Sequence, residues 1–250
     1  MRALFCLVSA LVSLPVSAAD IQLLSAGVAK SSVLPLIPSF ARDTGHAVKA
    51  EFATAGAIQE KLKAGAKPDV VIVPAGVLAE LEKSGAVAAG SGAALGEVRI
   101  GVAVREGAPL PDISSVEAFR RALLAAKSVA YLDPARGGTS GRHFAGVLAK
   151  LGIEDAVKAK AVLVPGGYAA EKIVSGEAEL CVHQISEILP VQGVRLVGPL
   201  PPELQLVTTY SAGIVAGSPN AEAARQWIEY LGSPAGQARF RAAGLDIPKH

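Results

Sequence analysis

Three small residues, Thr139, Ser140 and Gly141, stand where a glycine-rich turn passes into an amphipathic stretch. Residues 128–132 before the turn are typical of a short buried strand, and apolar residues recur at helical spacing over residues 144–151. Threonine and serine are residue types that cap helix N-termini. The first backbone N–H groups of a helix have no partner within it, and the helix dipole adds partial positive charge there. The stretch therefore predicts an anion-binding site. The simpler interpretation is an ordinary capped helix.

Two further strand ends carry small or hydroxylated residues. Residues 21–27 form the first predicted strand, which finishes at Gly27, and the predicted strand at 48–52 leads into Thr54, Ala55 and Gly56. Ligand sites in open α/β sheets lie beyond the carboxyl ends of the strands. These two strand ends are therefore candidates for the same site as the turn at Ser140.

The order of the remaining elements decides the fold class. Predicted helices alternate with predicted strands at 70–73, 97–105, 128–132, 160–164, 180–184 and 206–216. Alternation of this kind predicts an α/β fold with mostly parallel sheets flanked by helices. The continuous apolar run at 70–73 is typical of a parallel strand that is covered on both faces.

Composition and charge exclude several classes of partner. The 24 basic and 22 acidic residues leave a formal net charge of +2, and no run of lysine or arginine occurs, which argues against nucleic acid. No spacing of cysteine and histidine typical of a metal site is present, and no cofactor motif is visible, so we expect neither metal nor cofactor. Cys181 lies in a strand-like run and is expected to be an inert buried thiol.

The N-terminus resembles a targeting sequence. A charged start, an apolar stretch and a small-residue site predict a secretory signal peptide over residues 1–19, cleaved after Ala18 or Ala19. The apolar stretch is too short to span a bilayer. Its removal also takes away Cys6. We therefore expect a soluble periplasmic product that does not insert into a membrane.

Four local patterns occur in a consistent order along most of the chain. They are Asp69 after residues 64–68, the Asp-Pro turn at 133–134, Ser-Gly-Glu-Ala at 175–178, and a closing segment at 220–236. Together they resemble the periplasmic molybdate-binding proteins, which are type II solute-binding proteins of ABC transporters. The resemblance implies a two-lobe periplasmic binding protein with a ligand cleft between its lobes. Lobe 1 would comprise residues 20–96 plus 204–250, and lobe 2 residues 97–203.

The resemblance also implies where the ligand lies. Members of this family hold an oxyanion with hydroxyl and backbone N–H groups at five places, which correspond here to Val28, Ala55, Ser140, Gly166 or Gly167, and Gln184. Two serines and a tyrosine of the family are thus replaced. Each lost hydrogen bond to a charged group costs about 1.5–3 kcal/mol, so tight molybdate binding is not expected.

Longer polar side chains near the cleft favour a larger anion, such as an organic carboxylate. Arg136, Arg142, Lys30 and His183 each also have a simple structural interpretation, as surface charges or a packed side chain. Neighbouring strand residues face opposite ways, so His183 and Gln184 cannot both face the cleft, and Gln184 is preferred. The predicted ligand-binding residues are Gly27, Val28, Thr54, Ala55, Gly56, Thr139, Ser140, Gly141, Gly166 and Gln184. The expected function is capture of a small anion by a monomer that serves an ABC-type permease.

The alternative is an enzyme. The same family scaffold is similar to that of a periplasmic aconitate isomerase, which moves a proton along a tricarboxylic acid. Such chemistry needs an acid–base group with a pKa near the working pH. His183 and His143 lie near strand ends, and Glu60 and Glu187 are the candidate carboxylates. No motif in the chain assigns any of them as catalytic.

Overall fold

The computed structural model describes residues 18–247 as an α/β protein. The predicted signal peptide, including Cys6, lies outside the described residues except for Ala18 and Ala19. The strands are β1 (Asp20–Ala26), β2 (Ala47–Ala53), β3 (Val70–Pro74), β4 (Ala93–Arg105), β5 (Val129–Leu132), β6 (Ala161–Val164), β7 (Leu180–Gln184), β8 (Val194–Pro199) and β9 (Val207–Ile214). The helices are α1 (Lys30–Val33), α2 (Ile37–Thr44), α3 (Ala55–Lys63), α4 (Ala75–Lys83), α5 (Val116–Ala125), α6 (Thr139–Lys150), α7 (Glu154–Lys158), α8 (Glu171–Val174), α9 (Ile185–Ile188), α10 (Ala221–Gly232) and α11 (Pro234–Ala242).

Two sheets share the long strand β4. The first has the order β2-β1-β3-β9-β4, and the second has the order β6-β5-β7-β4-β8. In the first sheet β9 is antiparallel to the other strands, and in the second sheet β4 is antiparallel to the other strands. The prediction of mostly parallel sheets therefore agrees with the structure. As the apolar run predicted, residues 70–73 of β3 are fully buried.

Each sheet is covered by helices that bury a separate apolar core. The first core is built around Trp227, which meets Phe40 edge to face with ring centroids 4.9 Å apart. The second core contains Phe119 and Phe144. Along β4 the division falls between Val98 and Ile100. We call the part packed on the first core lobe 1 and the rest lobe 2; their boundaries in the sequence stay a prediction.

Three elements were not predicted from the sequence, namely α7, α9 and β8. The chain between β1 and β2 does not form one continuous helix, because α1 and α2 are separated by a 3-10 turn at Leu34–Leu36. Pro35 lies in this turn and Pro38 in the first turn of α2, where a missing N–H is tolerated. Within residues 18–247, no helix has the length and apolar character needed to cross a membrane.

Candidate ligand-binding site

A cavity of about 260 Å³ lies between the lobes, beyond the carboxyl ends of β1, β2, β5 and β7. This is the position expected for ligands in open α/β sheets. All the predicted ligand-binding residues except Gly56 and Gly141 lie in its wall. Each of these two glycines instead permits a close backbone contact behind the wall.

The start of α6 supplies the lobe 2 side of the cavity. The residue that caps this helix is Gly138, so Thr139 and Ser140 occupy its first turn; the expectation that they cap it is wrong. Because Gly138 has no side chain to cap the helix, the first N–H groups of α6 remain open to a ligand. Ser140 is 1% exposed, and its Oγ has no hydrogen-bond partner among the described residues. A Cβ on Gly141 would lie 2.2 Å from the carbonyl oxygen of Leu132, so only glycine lets α6 begin directly on the end of β5.

The lobe 1 side is largely apolar. Val28 is 1% exposed and Ala55 is 3% exposed, and neither carries a hydroxyl group. The hydroxyl of Thr54 is already engaged, because it accepts from the N–H of Ala57 at 3.1 Å and donates to the carbonyl of Arg136 at 2.6 Å. Thr54 therefore caps α3 and joins the two lobes.

Lys30 adds a positive charge to this wall. Its Nζ lies 5.3 Å from the ring centroid of Tyr168 and 5.9 Å from that of Phe52, and all three residues line the cavity. These distances are those of cation–π contacts. The sequence did not place Lys30 in the site, because its position near the end of the first strand did not show which way its side chain points.

Gln184 belongs to a buried hydrogen-bond chain across the cavity. Its Nε2 donates to the hydroxyl of Tyr210 at 2.9 Å, and that hydroxyl lies 3.4 Å from Oγ1 of Thr139. Burial raises the pKa of Tyr210 to about 12, so the phenol keeps its proton. The resemblance predicted the loss of a tyrosine at position 184, but Tyr210 on β9 brings a phenol hydroxyl to the side chain of Gln184 in the cavity wall. Sequence reasoning missed Tyr210, because strand alternation does not tell which face is the ligand face.

Glu187 was likewise not included in the predicted binding site. It lies on α9, is 5% exposed, and lines the cavity. Its Oε2 is 3.4 Å from Nδ1 of His183. Burial raises the pKa of Glu187 to about 8, so the carboxyl is mostly protonated at neutral pH.

His183 is structural, as its strand position predicted. Its Nδ1 accepts from the backbone N–H of Gln184 at 2.7 Å, which places the proton on Nε2, 3.2 Å from the carbonyl of Gly167. Burial lowers the pKa of His183 to about 4, so the ring is neutral. His183 and Glu187 are therefore two neutral neighbours and not an ion pair.

Several other polar candidates lie away from the cavity wall. His143 points to the carbonyl of Leu204, with Nε2 at 2.7 Å. Arg136, Arg142 and Glu60 are absent from the cavity lining. Cys181 is fully buried, and burial raises the pKa of its thiol, as expected for an inert residue.

Comparison with known proteins supports the fold described above. Residues 21–246 match the family model described as bacterial extracellular solute-binding protein. An aconitate isomerase from a Pseudomonas species is 34% identical, over 94% of this chain and 92% of its own. The periplasmic molybdate-binding protein of Azotobacter vinelandii superposes with a TM-score of 0.75 at 20% identity, covering 92% of this chain and all of its own.

A second similar structure carries an organic anion. PEB3 with bound L-phospholactate superposes with a TM-score of 0.68 at 15% identity, covering 92% of this chain and all of that one. The protein Peb3 comes from Campylobacter jejuni. The predicted resemblance and the predicted fold class are thereby confirmed. The chain belongs to the bacterial extracellular solute-binding protein family and has the fold of its type II periplasmic members.

Proposed function

We propose that this protein captures a small organic polycarboxylate in the cleft between its lobes. The observation that carries the proposal is the start of α6. Its first backbone N–H groups have no helical partner, Thr139 and Ser140 line the cavity, and the buried Oγ of Ser140 has no hydrogen-bond partner among the described residues. Helix N-termini of this kind receive anions. Lys30 adds the positive charge on the opposite wall.

The lobe 1 wall favours a carboxylate over a compact tetrahedral oxyanion. A molybdate ion needs donors on all sides, but Val28 and Ala55 offer apolar surface where the resembling family has serines. A polycarboxylate can direct its charged groups to α6 and Lys30 and lay its carbon chain against these apolar side chains. The amide of Gln184 and the hydroxyl of Tyr210 then supply neutral hydrogen bonds.

The relatives support the same class of ligand. The name of the Pseudomonas relative refers to a tricarboxylic acid, and PEB3 holds an organic anion within this fold. We further propose that residues 1–19 direct export to the periplasm, where the protein would deliver its ligand to an ABC-type permease. Closure of two lobes on a ligand is the usual action of such proteins.

A binding screen tests the proposal. Isothermal titration calorimetry and thermal denaturation should be run with citrate, tricarballylate, trans-aconitate, succinate, molybdate, tungstate and sulfate. We expect at least one carboxylate to raise the melting temperature and to release heat, since a ligand that binds only the folded state stabilises it. Tight molybdate binding without any response to a carboxylate would contradict the assignment.

A second function is favoured by a specific observation. The Pseudomonas relative is an aconitate isomerase at 34% identity over almost the whole chain, and a buried carboxyl group lines the cavity of this protein. We propose isomerisation of an unsaturated tricarboxylate as the alternative to simple capture. The two functions share the binding step and differ in whether the bound molecule is changed.

A further inference from the structure

The environment of Glu187 is unusual for a carboxyl group. Its side chain is 7% exposed, yet it belongs to the cavity wall, so its small accessible surface is turned toward the ligand space. Burial raises the pKa of this carboxyl, and no hydrogen bond from a described residue stabilises its charged form. A buried polar group without a partner costs free energy, so such a group calls for an explanation.

Within residues 18–247, no charged side chain pairs with Glu187. His183 is neutral, because Nδ1 accepts the N–H of Gln184 and burial disfavours the imidazolium form. The other titratable groups around the cavity are Lys30, Tyr168, Glu171 and Tyr210, and Cys181 lies behind it. The Nζ of Lys30 lies over two aromatic rings and, among the described residues, forms no ion pair with Glu187. Glu187 is therefore available to a bound molecule.

The position of Glu187 also joins the lobes. A Cβ on Gly27 would lie 2.6 Å from Oε1 of Glu187, so the carboxyl of lobe 2 reaches the backbone of lobe 1. Because Gly27 has no side chain, the carboxyl of Glu187 has room to lie against its backbone. The carboxyl of Glu187 and the start of α6 therefore line the same cavity.

We propose that Glu187 is the catalytic residue that carries a proton between two carbons of a bound unsaturated tricarboxylate. The proposal rests on the proposed function, because it requires the carboxylate in this cavity. Ionised Glu187 would take a proton from the methylene carbon that lies between a carboxylate and the carbon–carbon double bond. The electron pair of that C–H bond enters the allylic system. Glu187 then returns the proton to the far carbon, so the double bond moves and no other reactant is consumed.

The surroundings of Glu187 favour both the removal of the proton and the stabilisation of the charge that results. A carboxylate kept from water is a stronger base than one in solution, which helps to remove a weakly acidic C–H proton. The N–H groups at the start of α6 would stabilise the negative charge that spreads onto the substrate carboxylate. Glu171, the other carboxylate in the wall, is exposed and lacks this environment.

Hydrogen exchange measures the step directly. The purified protein should be incubated with trans-aconitate in deuterium oxide and followed by proton NMR, with tricarballylate as a saturated analogue that reports binding alone. We expect loss of the methylene and vinyl proton signals and formation of cis-aconitate in the unmodified protein. Glu187→Gln should slow exchange by about 100-fold or more, since acid–base catalysis contributes about that much. Its tricarballylate affinity should change by only a few fold.

A matched control and a second variant complete the test. Glu60→Gln removes a carboxyl that is exposed on α3 and absent from the cavity wall, and it should exchange as the unmodified protein does. Should Glu187→Gln fail to fold, Glu187→Asp serves in its place. The aspartate side chain is one methylene shorter, so its carboxylate lies farther from the substrate and exchange should again slow. In the unmodified protein, exchange should rise with pH and level off near the pKa of Glu187, at about 8.

The outcomes separate the two proposals. Binding of tricarballylate without exchange of trans-aconitate would overturn the catalytic inference and leave the capture function intact. Exchange that is as fast in folded Glu187→Gln as in the unmodified protein would also overturn it. Absence of binding for every carboxylate would overturn the proposed function itself.

Discussion

Glu187 and His183 link folding stability to pH in opposite directions. The pKa of Glu187 rises from 4.5 to about 8, so between these values the folded protein holds a proton that the unfolded chain releases. Its contribution to stability is complete below pH 4.5 and is lost as the pH rises to about 8. The pKa of His183 falls from 6.5 to about 4, so there the unfolded chain binds the extra proton and stability rises with pH. The two effects on the free energy of unfolding oppose each other up to pH 6.5, and above pH 6.5 only the effect of Glu187 remains.

We therefore predict a decline in the free energy of unfolding between pH 6.5 and about 8. The loss should approach about 2 kcal/mol, at about 1.4 kcal/mol for each pH unit. Glu187→Gln should remove the decline, whereas Glu60→Gln should retain it, since that side chain is exposed. Urea unfolding at a series of pH values measures this. A level curve for the unmodified protein would show that Glu187 is ionised throughout.

We predict that the residues at positions 28 and 55 decide which anion is preferred. Restoring both hydroxyls in a Val28→Ser/Ala55→Ser variant should increase molybdate affinity by about tenfold or more, since hydrogen bonds to charged groups are worth about 1.5–3 kcal/mol each. Carboxylate affinity should fall. Ala57→Ser adds a hydroxyl on the same helix outside this cavity wall and serves as the control. Calorimetry with molybdate and tricarballylate gives the comparison, and unchanged molybdate affinity in the folded variant would show that these positions do not contact the anion.

At the scale of elements, the first turn of α6 is the proposed anion receptor. Ser140→Pro should remove one N–H donor from this turn and weaken carboxylate binding by about tenfold, while proline remains compatible with a first helical turn. Glu117→Pro makes the same change in the first turn of α5, outside the cavity wall, and should leave affinity unaltered. Calorimetry on both variants, with circular dichroism to confirm folding, decides the matter. Equal affinities would mean that α6 does not receive the anion.

At the scale of elements, the sequence predicted those helices, strands and turns that leave a local pattern of apolar residues or glycines. Periodicity located β1 to β3 and α6, and the glycine-rich turn before Thr139 located one wall of the cavity. The missed helix α9 has only four residues and follows β7 without an intervening turn, so it gives no periodic signal. Glu187 lies on that helix, and so its place in the cavity wall became visible only in three dimensions. Tyr210 was missed for a related reason, because its partner Gln184 is 26 positions away in the chain.

At the scale of the whole molecule, the lobes meet through backbone contacts beside the cavity. Thr54 donates to the carbonyl of Arg136, and the N–H of Gly56 donates to the carbonyl of Gly137 at 3.2 Å. Gly137 has a φ of 72°, a left-handed conformation that suits glycine. These contacts join α3 of lobe 1 to the turn before α6 in lobe 2. We call this arrangement of the lobes closed, because opening of the cleft would separate these contacts.

Gly56 tests whether this closed arrangement is the binding form. A Cβ at Gly56 would lie 2.8 Å from Cα of Gly137, a backbone atom that cannot move away without separating the lobes. Gly56→Ala should therefore weaken carboxylate binding by about tenfold or more, because less of the protein occupies the closed form. Gly76→Ala is the matched control: Gly76 is also the second residue of its helix, α4, and a Cβ there meets nothing within 4 Å. Calorimetry should show the loss only in Gly56→Ala, and small-angle X-ray scattering should show that this variant stays more extended when the carboxylate is present. If Gly56→Ala binds and contracts as the unmodified protein does, the ligand must be held by an arrangement of the lobes in which α3 and the turn before α6 do not touch.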